Sequence, residues 1–179
     1  VKITKEWLKK HGACSKGRNW FNKFFPDGGD IDAVLILVTQ DADADDSWVS
    51  WLMSRAEYKE VGWLEGLEIP GSLDLSDCTL PDGVKLPDSV GGYLDLSGCT
   101  LPEGMKLPDS VGGSLYLSDC TLPEGMKLPD SVGGSLYLSG CTLPDGVKLP
   151  DSVGGYLYLR GSNFKTTDVP EHLRSRVIL

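Results

Sequence analysis

Residues 73–93 read LDLSDCTLPDGVKLPDSVGGY, and the same block recurs with few substitutions from Leu94, Leu115 and Leu136. A fixed period of 21 residues is too short for one unit to bury its own apolar face, so each must stack on its neighbours as a solenoid. The apolar positions of the first unit are Leu73, Leu75, Cys78, Leu80, Val84, Leu86 and Val90. Leu73 with Leu75, Cys78 with Leu80, and Val84 with Leu86 alternate as strands do, which predicts three short strands that each turn two side chains inward. Leu80-Pro81-Asp82-Gly83 reads as a turn with Pro second, and Pro87 to Gly92 as a wider corner. Three sides and three corners make a triangular parallel β-solenoid, with four full repeats and partial ones over residues 67–160 and coils about 4.8 Å apart.

The outward positions differ between coils. Between the two strand leucines stand Asp74, Asp95, Tyr116, Tyr137 and Tyr158, and before the strand stand Ser72, Tyr93, Ser114, Ser135 and Tyr156. Both ranks are expected to point outward, on one face bounded by Asp74 and Asp95 at its N-terminal end and by Arg160 at the other. Tyr at such positions stabilises a ladder by stacking, and it is also favoured at interfaces, where it offers rigid apolar area with a polar tip. Its concentration on one side of three favours binding. The Lys85, Lys106, Lys127, Lys148 rank and the Asp88, Asp109, Asp130, Asp151 rank read as a solvated corner.

Residues 1–66 differ in kind and are expected to form a mainly helical module that also covers one end of the stack. Ile3 to His11 is predicted helical, with Ile3, Trp7 and Leu8 on one face. Ser15 is the expected N-cap of a second helix carrying Trp20, Phe21, Phe24 and Phe25. Asp30 to Gln40 contains AVLILV, which is ambiguous between helix and strand, and Asp45 or Asp46 is expected to cap a helix holding Trp48, Trp51, Leu52 and Met53. Trp63, Leu64, Leu67 and Ile69 are expected to seal the junction. Residues 161–179 are read as a C-terminal cap, in which Val169-Pro170-Glu171-His172-Leu173 repeats the LPDSV corner with a one-residue deletion.

The run LPDSVGGYLDLSGCTLP, residues 86–102, resembles the short leucine-rich β-solenoid repeats of bacterial and phage proteins, and the likeness covers residues 72–160. It implies a fold and no activity. The LP punctuation is also similar to that of secreted leucine-rich-repeat effectors, but their long helix-side pattern is absent and no ligase-like domain follows. The stretch ITKEWLKKHGACSKGRNWFNKFFPDG followed by DDSWVSWLMSR is similar to a small helical module that precedes repeat arrays in phage and bacterial proteins. That likeness implies a mobile-element origin. The expected class is therefore α+β, a small helical domain followed by a leucine-rich-repeat-like solenoid.

The chain carries a formal charge of −9, with 26 acidic against 17 basic residues among 179, which disfavours direct contact with nucleic acid or an anionic membrane. Apolar runs fall short of the roughly 18 to 20 residues of a membrane helix, and the first residues lack the core of a secretion signal, so the expected compartment is the cytoplasm. Acids dominate the solenoid, and Asp41, Asp43, Asp45 and Asp46 cluster ahead of the Trp48 helix. A basic protein surface is the natural complement. Imitation of duplex DNA is weak, because the net charge of the coils amounts to about one per 3.4 Å, half the duplex density.

Cys78, Cys99, Cys120 and Cys141 form a ladder of parallel side chains, whereas zinc needs ligands that converge; they are expected to be buried free thiols, and no metal or cofactor is expected. His11 and His172, the two histidines, lack a neighbouring acid and nucleophile and are expected at the solvated surface. A single Thr rank, Thr79 to Thr142, falls short of the paired ranks of an ice-binding face. With no phosphate loop, dinucleotide fingerprint or nucleophile elbow, the expectation is a non-enzymatic protein that binds another protein. Its surface would comprise Tyr93, Tyr116, Tyr137, Tyr156, Tyr158, Asp74, Asp95 and the Asp41–Asp46 cluster. The expected role is inhibition of a host nucleic-acid-handling or defence complex, of anti-CRISPR or anti-restriction type. A structural, self-assembling or immunity-type module is the second reading, and a peptide or carbohydrate receptor the third.

Overall fold

The computed structural model describes residues 1–45, 47–56, 64–66 and 68–179. The chain begins with β1 (Lys2–Ile3), α1 (Lys5–Lys10), α2 (Ser15–Phe24), β2 (Gly29–Asp30), α3 (Ile31–Gln40) and α4 (Ser47–Ala56). Ile3 lies in a strand paired antiparallel with β2, opposite Gly29, and not in the first helix as expected. The reason is Thr4, whose hydroxyl accepts the Trp7 amide at 3.1 Å and fixes the helix start one residue after it. The second helix is capped by Cys14, whose Sγ accepts from Gly17 N at 3.3 Å, so Ser15 is its first residue and not its cap. AVLILV resolves as helix, with Ile31, Val34, Leu35 and Val38 buried at helical spacing.

The solenoid is built from two parallel sheets and a third ladder of single bridges. Strands β4 (Leu73–Asp74), β6 (Leu94–Asp95), β8 (Leu115–Tyr116), β10 (Leu136–Tyr137) and β12 (Leu157–Tyr158) stack in register, each residue 21 positions from its partner, and β13 (Val177–Ile178) closes this sheet of six. The second sheet holds β3 (Glu68–Ile69), β5 (Ser89–Val90), β7 (Ser110–Val111), β9 (Ser131–Val132) and β11 (Ser152–Val153). On the third side Thr79, Thr100, Thr121 and Thr142 are joined by parallel bridges.

Val84 and Leu86 are buried as expected, yet they form no strand; the third strand of each coil is Ser89–Val90, inside the predicted corner. Proline explains the displacement. Pro87 has no N–H to contribute to a ladder, whereas Ser89 and Val90 are free to pair with Ser110 and Val111. The tight turn is also shifted by one residue, because Val84 N donates to Pro81 O at 3.1 Å, leaving Asp82 and Gly83 as its central pair and Gly83 at a φ of +78°.

The core is a set of continuous ranks, of which Leu73, Leu94, Leu115, Leu136 and Leu157 are fully enclosed. The Gly-Gly steps are demanded by the stack: a Cβ on Gly133 would strike the carbonyl of Gly112 in the coil before, and one on Gly134 would lie 2.8 Å from the Gly113 carbonyl carbon. At the N-terminal end α4 packs against β4, and Leu64 and Ile69 are buried there. Trp63 and Leu67, the other expected seals, lie outside the described residues. At the far end β13 pairs with β12 as Leu157 with Val177 and Tyr158 with Ile178, an offset of 20 that matches the one-residue deletion read from Val169 to Leu173. Among the described residues no helix is long and apolar enough to cross a membrane.

Candidate interaction surface

The 21-residue register places Tyr116, Tyr137 and Tyr158 directly above one another on the six-stranded sheet. With strands at about 4.8 Å, aromatic rings can lie face to face. Tyr116 and Tyr137 have centroids 4.4 Å apart and planes within 11°, and Tyr137 and Tyr158 are 4.5 Å apart and within 4°. Tyr93 meets Tyr116 edge-on at 6.1 Å, and Tyr156 meets Tyr158 at 6.4 Å, so all five expected tyrosines join in one strip. Desolvation, and then the Tyr137 phenol beside it, raise the Tyr158 phenol above its ordinary value. Tyr156 is 54% exposed, and the stacked three are half-buried. Because they cover one another's faces, they present edges and hydroxyls outward.

Asp74 and Asp95 continue the same rank toward the N-terminus. Each also shapes its own coil: Asp74 Oδ1 accepts from Ser76 N at 3.0 Å and from Ser76 Oγ at 2.7 Å, and Asp95 Oδ1 accepts from Ser97 N at 2.8 Å. The serines of the neighbouring rank join successive coils. Ser72, Ser114 and Ser135 hydroxyls accept the backbone amides of Tyr93, Ser135 and Tyr156 at 3.1, 3.0 and 2.9 Å, tying each coil to the next.

The C-terminal end of the face is basic. Arg160 is exposed, and Arg176, aligned with Tyr156 by the offset of 20, donates from Nη1 to Gly154 O at 2.5 Å and Gly155 O at 3.2 Å. Of the two, the Gly155 carbonyl is the one to which the inner coils would supply an amide, as Gly155 N does for Gly134 O at 2.7 Å. Sequence alone assigns Arg176 only to the cap; its duty follows from counting back one residue from the 21-residue period.

The acidic cluster of the helical module is a set of local turns. Asp41 Oδ1 accepts from Asp43 N at 2.8 Å, Asp43 lies 4.0 Å from Lys23 Nζ, and Asp45 Oδ1 accepts from Ser47 Oγ at 2.6 Å and Ser47 N at 3.2 Å. The Ser47 hydroxyl bond, aided by the charge of Lys16, holds the Asp45 carboxyl below its usual range. Asp46 lies outside the described residues. This cluster lies in the helical module, whereas the tyrosine strip lies on the solenoid. Beside it is a feature that sequence did not reveal, a cavity of about 310 Å³ lined by Leu8, Trp20, Phe21, Trp48, Trp51 and Asp45 among others. Its walls come from α1, α2, α3 and α4, so only the packing of those helices could expose it.

His172 is exposed as expected and His11 is half-buried, and each makes a hydrogen bond to a backbone carbonyl. His11 stacks on Trp7 with centroids 4.0 Å apart and donates from Nδ1 to Trp7 O at 2.8 Å, while His172 Nε2 donates to Asp151 O at 3.0 Å. The ladder cysteines are buried free thiols, and three of them bridge coils: Cys99, Cys120 and Cys141 donate to Leu75, Leu96 and Leu117 carbonyls of the preceding coil at 3.0, 3.1 and 2.7 Å. Burial pushes Cys78 up to about 11 and Cys99 and Cys141 up to about 12.

Residues 1–61 match the family model of the YdhT N-terminal domain, a match that stops before the first coil. Neither the curated proteins nor the solved structures compared with the chain gave a match.

Proposed function

We propose that the chain is a non-enzymatic protein-binding repeat protein whose contact surface is the tyrosine strip of the six-stranded sheet. The carrying observation is the continuous aromatic row from Tyr93 through Tyr116, Tyr137 and Tyr158 to Tyr156, flanked by acids at one end and arginine at the other. Rigid aromatics with polar tips dominate the energetics of protein interfaces. Tyr156, the most exposed of the five, packs only at its edge against Tyr158, more exposure than a purely stabilising ladder needs. A sugar receptor is less well supported, since a pyranose stacks on an open ring face and the central faces here are covered by other rings.

The net charge of −9 favours a partner with a basic patch, and the likeness of the repeats to leucine-rich solenoids of phage and bacterial proteins favours a mobile-element origin. Together they support an inhibitor that docks on a nucleic-acid-handling or defence complex in the cytoplasm. The test compares wild type with a Tyr116→Ser, Tyr137→Ser, Tyr158→Ser variant as bait in a bacterial lysate, after circular dichroism has shown that both are folded. Proteins retained by wild type should be lost by the variant, with affinity for a purified partner reduced at least tenfold. Equal retention by the folded variant overturns the assignment of this face and moves the contact to the helical module.

A further inference from the structure

The pattern on this face is complementary to itself. Along the stack the central rank of the six strands reads Asp74, Asp95, Tyr116, Tyr137, Tyr158 and Ile178. The flanking ranks add basic groups only at the end opposite the acids: Arg160, two residues beyond Tyr158, and Arg176, in the rank of Tyr156. We propose that the tyrosine face also takes a second copy of this chain, docked face to face with the two stacks antiparallel and in competition with any other partner; this rests on the reading that the face is a contact surface.

Symmetry and charge select the arrangement. A two-fold axis along the solenoid would lay Asp74 on Asp74 and Asp95 on Asp95, which like charges oppose. An axis along the strands reverses one stack against the other. With six strands in the sheet, that axis falls between β8 and β10, setting Tyr116 of each copy against Tyr137 of the other. Asp95 then faces Tyr158 of the second copy, with Arg160 two residues away along the strand, about 6.6 Å and within reach of a guanidinium. Asp74 faces Ile178, with Arg176 in the adjacent rank. Both stacks share one strand spacing, so the match at one coil holds along the row.

Other features agree. Ile178 is 41% and Tyr156 54% exposed, two of the few large apolar side chains left in solvent, and both lie on this face. Arg160 has no hydrogen bond or ion pair from its side chain among the described residues, so its charge is available. The flat footprint is about 16 by 29 Å, or roughly 450 Å² per copy, below the roughly 800 Å² per partner of a standard stable interface. A dimer of that size belongs with the weak, concentration-dependent interfaces, and it hides the face from other proteins.

Sedimentation equilibrium from low to several hundred micromolar tests this. Wild type should fit a monomer–dimer equilibrium that weakens with salt. Arg160→Glu, at an exposed position that leaves the coil intact, should weaken it at least tenfold, and adding Asp95→Arg to that variant should restore it. A wild type that is monomeric throughout, or a dimer indifferent to Arg160→Glu, overturns self-pairing. If that monomer still retains lysate proteins that the triple-Ser variant loses, the contact-surface reading stands without the dimer. If association of neither kind responds to the tyrosines, both readings fall.

Discussion

The thiol of Cys141 donates to the carbonyl oxygen of Leu117 across 2.7 Å, from one coil to the coil before it. The same bond recurs at Cys99 and Cys120, so the cysteine ladder ties the carbonyls of Leu75, Leu96 and Leu117, at the turns that leave β4, β6 and β8. Cysteine suits the place because it is small, tolerates full burial and still carries a donor.

Native labelling should separate Cys14, which is exposed, from the four ladder thiols. Cys14 should react at once and the others only on unfolding. Their folded values are raised, to about 12 at Cys99 and Cys141, against about 8.5 in an unfolded chain. Above about pH 8.5 the unfolded chain sheds thiol protons that the folded chain keeps, so stability is full below that pH and falls toward pH 12. Urea unfolding across pH 7 to 11 should show the decline, and replacing the four cysteines by Ala should flatten it.

Leu117 is fully enclosed at the centre of the stack, whereas Lys127 is exposed. Leu117→Asp buries an unpaired charge and should cost more than about 4 kcal/mol, while Lys127→Ala should stay within about 0.5 kcal/mol. Denaturant midpoints measure both, and equal small effects would contradict the inward and outward assignment.

Two glycines of one coil should respond differently to Ala. Gly125 has a φ of +77° but open space where a Cβ would go, so Gly125→Ala should cost about 1 to 2 kcal/mol of backbone strain. Gly133→Ala would drive a Cβ into the Gly112 carbonyl and must force the neighbouring coils away from each other. Its cost should exceed that of Gly125→Ala severalfold in the same unfolding assay.

At Gly155, Arg176 puts a side chain where the inner coils supply an amide. Arg176→Ala should free the Gly154 and Gly155 carbonyls and lower stability by about 1 to 2 kcal/mol, as loss of partly exposed charge-assisted bonds does. Hydrogen exchange should quicken in β12 and β13 and remain unchanged in β6 and β8.

Register was legible in the sequence because a 21-residue period fixes what lies above what, and the placement of Tyr116, Tyr137 and Tyr158 on one face follows from it. The third strand was not. Val84 and Leu86 alternate as a strand would, but pairing depends on backbone donors, and Pro87 removes one where alternation is silent. The serine rank likewise reads as merely polar, whereas the Ser72, Ser114 and Ser135 hydroxyls act on the amides of the coil above. Parallel stacking of the phenol rings needed side-chain torsions as well as register. In the helical module, the position of Asp45 next to the Trp48 helix follows from the chain, but the cavity beside it depends on how four helices pack.

The end coil also bears on how long such a molecule can be. Where the inner coils carry Gly-Gly, the last carries Arg174 and Ser175, and its chain turns into a helical 3-10 segment, Glu171–Arg176, that lacks the step through which the inner coils stack. The regular geometry thus changes at this last unit, and the units between it and the helical module share one shape. Adding or removing one block would move the two ends apart or together by a single strand spacing, about 4.8 Å, without rebuilding either. The array is in that sense a ruler, graduated in whole coils.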